Sequence, residues 1–106
     1  MTANEFRRLA LSMPDAIEAS HMGHPDFRVG GKIFATLGYP HRAMGMVALT
    51  PEQQALFVRS EPKTFTPVPG GWGKKGSTHV LLPTAKKSAV REALKVAYGN
   101  RAGFYL

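Results

Sequence analysis

The stretch Asp26-Phe27-Arg28-Val29-Gly30-Gly31-Lys32-Ile33-Phe34-Ala35-Thr36-Leu37 constrains this chain more than any other, because it spells a β-hairpin. Adjacent glycines can both take the positive φ angles that a two-residue hairpin turn requires, and apolar residues alternate on either side. After the turn the alternation sets Ile33, Ala35 and Leu37 on one face and Lys32, Phe34 and Thr36 on the other. The pattern predicts paired strands with one face in the core and the other open.

The remaining elements follow from local signals. Phe6, Leu9, Ala10 and Met13 share one helical face, and Thr2 and Glu5 have the spacing of a capping box, so the first dozen residues read as an amphipathic helix that Pro14 ends. Strands are predicted at 16–20, 26–29, 32–37 and 44–49. Thr50-Pro51-Glu52-Gln53 starts a second helix that runs to about residue 60, with a hydroxyl cap and proline in its first turn. Pro62, Pro67 and Pro69 make the next stretch an extended loop, and 77–82 reads as a strand. Thr84 is the expected cap of a last helix, with Val90, Ala93, Leu94 and Ala97 on its inner face and Gly99 as its terminator.

The predicted order α-β-β-β-β-α-β-α describes one α+β domain over residues 1–106: two layers, an antiparallel sheet with helices packed on one face. Hydrophobic residues at 43% and charged ones at 20% match an ordinary globular chain and argue against disorder. The charge is less ordinary. Fourteen Lys and Arg against seven Asp and Glu give +7, which favours polyanionic partners, nucleic acid first. The chain has no Cys, so it has no disulfide, thiolate metal site or cysteine nucleophile. With no apolar signal core near Met1 and no apolar run approaching the ~20 residues of a membrane span, the expectation is a cytoplasmic protein without a membrane role.

Two segments carry a family resemblance. His24-Pro25-Asp26-Phe27-Arg28-Val29-Gly30-Gly31-Lys32-Ile33-Phe34-Ala35 and Pro69-Gly70-Gly71-Trp72-Gly73 are similar to two signatures of the MmcQ/YjbR family of small DNA-binding proteins, and the likeness spans nearly the whole chain. The resemblance implies a CyaY-like domain, related in shape to frataxin, and DNA binding through a pair of wings.

The residues themselves point the same way. Arg28 and Lys32, beside the Gly30-Gly31 tip, make one candidate wing, in which Arg forks to phosphate or guanine and Lys supplies a mobile point charge; an ordinary solvated face is the alternative. Trp72-Gly73-Lys74-Lys75-Gly76 makes the other, with lysines to neutralise phosphate and Trp72 to stack on a base. Trp72 has a second reading as a plug at the edge of the core. The high average burial of Trp favours that reading, under which Trp72→Ala costs the fold about 3 to 5 kcal/mol. Lys86 and Lys87 fall in the first turn of the last helix, where the macrodipole disfavours cations by about 0.3 to 1 kcal/mol each. A bound phosphate would offset that, so both join the candidate DNA-contact set; plain solvent exposure is the alternative.

Other chemistry finds little support. Gly71-x-Gly73-x-x-Gly76 spells a dinucleotide motif, but prolines precede it and strand-like residues follow, the reverse of the context that motif needs. His21, His24 and Asp26 are spaced like a loop and would need His41 or His79 to complete a metal site. Ser20 beside His21 and Ser77 near His79 make no triad, and the acids show no paired pattern. The expectation is a non-enzymatic protein without cofactor or metal that binds DNA mainly through backbone phosphates. The alternative is a module that binds a protein or an anionic small molecule on an open sheet face bearing Phe34, Tyr39 and Trp72. Cations gathered on one face would favour the first, and cations scattered around an apolar pocket the second.

Overall fold

The computed structural model describes residues 1–103. Helix α1 (Ala3–Leu11) begins at the expected capping box: the Thr2 hydroxyl accepts from the Glu5 amide, and the Glu5 carboxylate accepts from the Thr2 amide. Strands β1 (Ile17–His21), β2 (His24–Val29), β3 (Lys32–Leu37) and β4 (Met44–Ala48) follow. The second capping box, Thr50 with Gln53, opens α2 (Pro51–Ser60). Then come β5 (Phe65–Pro67), the single turn α3 (Gly71–Lys74), β6 (Ser77–Leu81), a 3-10 turn over Leu82–Thr84, and α4 (Lys87–Ala102).

The strands form one antiparallel sheet in the order β1-β2-β3-β4-β6-β5. Helices α1 and α4 cover one face, as a two-layer α+β fold requires. Between them and the sheet lies a single buried cluster that includes Phe6, Phe27, Leu37, Val47, Val80 and the inner face of α4, Val90, Ala93, Leu94 and Ala97. Each large side chain removed from water there contributes about 1.5 to 3 kcal/mol.

The hairpin turn is where the glycines place it, with φ of 58° at Gly30 and 78° at Gly31. Its facing pattern differs from simple alternation. Asp26 and Phe27 pair with Thr36 and Ala35, but Arg28 and Val29 pair with Ile33 and Lys32, which leaves Phe34 as an extra, bulged residue in β3. The bulge turns Ile33 to the open face and Phe34 into the core, where its ring meets Tyr98 edge to face at 5.7 Å. Phe34 is therefore not part of any open apolar patch.

Two helix ends also depart from expectation. Thr84 does not cap α4: its hydroxyl donates to the Lys63 carbonyl at 2.7 Å, and Lys86 occupies the cap position without a side-chain bond. Gly99 is buried within α4, and the helix ends at Gly103, whose φ of 83° supplies the left-handed terminator. The proline-rich stretch contains β5, which the sheet tolerates because it is an edge strand.

Candidate functional site

In an antiparallel sheet, paired residues share a face, so register alone maps the uncovered side. One rung runs Ala19, Asp26, Thr36, Met46, His79 and Thr66 across all six strands. Over this rung lies an open groove of ≈ 690 Å³. His21, His24 and Tyr39 stand on one side, Val68 and Trp72 on the other, and Thr36 and His79 line its floor. The His24 ring sits edge to face with Tyr39 at 5.1 Å.

Trp72 is 71% exposed, so it belongs to the groove wall and not to the core. This corrects the reading of Trp72 as a plug at the edge of the core: truncation at 72 removes mostly exposed surface. The second candidate wing is likewise built differently from a hairpin turn. Residues 71–74 wind into α3, and the Gln54 side-chain amide pins the turn by donating to the carbonyls of Gly73 and Ser77, both at 3.0 Å. At the C-terminal cap of α3, Lys75 places its ammonium 5.5 Å from the centre of the Trp72 ring.

Strand direction decides which cations meet. The Gly30-Gly31 tip, the end of β4, the start of β6 and the end of α4 all lie at the same end of the sheet. Lys32, Lys74, Lys75 and Arg101 therefore lie at this end, and none of them is in an ion pair among the described residues. Lys86 and Lys87 follow the far end of β6, so they are not part of this cluster, and Lys86 lies 3.7 Å from Glu61. The helix-terminus lysines and the wing lysines thus occupy opposite ends.

Arg28 is in a different position again. Its guanidinium forks onto Asp26 at 2.8 and 3.1 Å, and Asp26 is only 1% exposed. Asp26 is accordingly no turn residue but the buried half of an ion pair, and the hydrogen bond to it raises the Arg28 pKa. The fork on Asp26 occupies Nε and one hydrogen of Nη2, so Arg28 is held in place by a buried carboxylate that neutralises much of its charge. Arg101, whose Nε donates to the Ile33 carbonyl at 3.0 Å, was not identifiable from sequence as a partner of these lysines. A basic residue in a last helical turn normally reads as dipole compensation, and only the tertiary packing brings it to the hairpin.

Although His21, His24 and His79 line one groove, no three His, Asp or Glu side chains among the described residues come together as a metal site. Burial lowers the His79 pKa, and the charge of His41 adds to the shift. The folded state resists a proton that the unfolded chain accepts near about pH 6.5. This contribution leaves stability intact above that pH, and stability falls as the pH drops from there through the folded pKa. In thermal melts between about pH 8 and about pH 5, His79→Gln is expected to flatten that fall. An unchanged slope would place the acid sensitivity at another group.

A family model described as YjbR matches residues 11–100. The chain belongs to the YjbR family. The YjbR-type fold is seen again in the crystal structure of Deinococcus radiodurans protein DR2400, described by the family-model domain DUF419. It is 19% identical, with a TM-score of 0.76 over 97% of this chain and 81% of that one. Likeness at this identity speaks to the fold alone. Comparison with curated proteins gives no match. Among the described residues of this YjbR-family chain, no helix is long and apolar enough to cross a membrane.

Proposed function

We propose that this YjbR-family chain binds nucleic acid through one end of its sheet, where Lys32, Lys74, Lys75 and Arg101 meet phosphates beside Trp72. The carrying observation is that the hairpin tip and α3, distant in sequence, lie at the same end of the sheet, with an exposed indole and with cations that form no ion pair among the described residues. The net charge of +7 supplies the long-range attraction. Arg28, Lys86 and Lys87 fall outside this reading: the first is committed to Asp26, and the others lie at the opposite end. A protein- or small-molecule-binding module is the second reading, favoured by the groove that the cations flank and do not fill.

The test is a titration with duplex and single-stranded DNA over a range of salt. Affinity is expected to fall with a log-log slope of about −0.9 per phosphate contacted on duplex. Lys74→Ala with Lys75→Ala should make the slope shallower by up to about two units, while Lys86→Ala with Lys87→Ala leaves it unchanged. A flat salt response would remove nucleic acid as the partner. Equal effects of the two lysine doublets would remove the one-ended placement.

A further inference from the structure

We infer that the open-face groove receives an unpaired nucleobase, so that the preferred partner is single-stranded nucleic acid, whose phosphates run onto the lysine-rich end. The inference rests on the phosphate contacts proposed above and adds the element that selects among nucleic acids. Three observations carry it. Trp72 and Tyr39, 71% and 58% exposed, face the groove from opposite sides and offer aromatic surface to a flat, apolar ligand. Thr36 and His79 on the floor offer hydroxyl and imidazole groups to the polar edge of such a ligand.

The third observation is charge. The ammonium groups of Lys74 and Lys75, in no ion pair among the described residues, sit on the same short turn as Trp72, and Lys75 lies against its ring. An aromatic ligand held against Trp72 therefore has cations next to it, which suits a base with a phosphate on either side and not a neutral apolar peptide. In a duplex the bases are stacked and paired and cannot enter a walled groove. In a single strand they splay outward and stack on aromatic side chains.

The experiment measures anisotropy of three labelled probes against the full chain at one salt concentration: a short oligothymidylate, a duplex of equal length, and an abasic strand carrying the same number of phosphates. The oligothymidylate is expected to bind about ten-fold tighter than the abasic strand. Trp72→Ala and Tyr39→Ala should each narrow that gap while melting close to wild type, as their exposure implies. If the abasic strand or the duplex binds as tightly as the oligothymidylate, the groove takes no base; the phosphate contacts would stand and this inference would fall. If none of the three binds, both fall. Concentration-dependent self-association that shields Trp72 without any oligonucleotide would assign the groove to a second copy and overturn the inference, as would displacement of the oligothymidylate by an apolar peptide lacking acidic residues.

Discussion

Phe34→Ala is expected to destabilise the fold by about 3 to 5 kcal/mol, the cost of emptying a fully buried aromatic site. The ring is 0% exposed and stands perpendicular to Tyr98, whose hydroxyl in turn donates to the Pro14 carbonyl at 2.8 Å. Phe34 thus ties the sheet to α4 and, through Tyr98, to the segment after α1. For a domain of this size the loss corresponds to a fall of more than about 12 °C in melting temperature. Ile33→Ala is the informative partner. Strict alternation makes Ile33 the core residue and Phe34 the surface one, so it predicts the opposite ranking of the two variants. A Phe34→Ala melt within about 4 °C of wild type, with Ile33→Ala the more damaging, would show that β3 carries no bulge.

That reversal shows where the sequence was readable and where it was not. Both capping boxes, the Gly30-Gly31 turn and the inner face of α4 are written in residues a few positions apart, and local chemistry is enough to place them. The bulge is a property of two strands at once. One extra residue in β3 shifts the facing of Ile33 relative to Ala35, and nothing in β3 alone announces it. The same limit applies to the candidate site. Lys32, Lys74 and Lys75 were each identifiable as exposed cations, but that they share one end of the sheet with Arg101, and that Lys86 and Lys87 lie at the other, are consequences of strand order. Trp72 misled for a related reason. Average burial takes no account of local context, and this tryptophan sits on a single turn pinned by Gln54.

The glycines of residues 70–76 lead to the sharpest division. A glycine-rich wing tip would tolerate alanine anywhere, because its glycines would serve flexibility; in the structure they serve three different ends. A Cβ at Gly71 would meet nothing within 4 Å, so Gly71→Ala is expected to stay within about 1 kcal/mol of wild type. At Gly73 a Cβ would lie 1.6 Å from the Val68 carbonyl oxygen, a backbone atom that cannot rotate away. Overpacking of that kind costs about 1 to 3 kcal/mol or more. Gly76 combines both problems: its φ is +112°, and a Cβ would lie 2.0 Å from the Leu49 carbonyl oxygen. Backbone strain of about 1 to 3 kcal/mol then adds to the clash, so Gly76→Ala should be the most damaging of the three. Denaturant unfolding ranks them directly, and the expected order of loss is Gly76, then Gly73, with Gly71 near zero. Because Gly73 and Gly76 hold α3 against Val68 and the end of β4, their substitution should also move Trp72 and weaken nucleic-acid binding even under conditions where the variant remains folded. If alanine proved harmless at all three positions, α3 would not be packed as a fixed wall. Trp72 would then have no defined place on the groove, and the groove no defined partner.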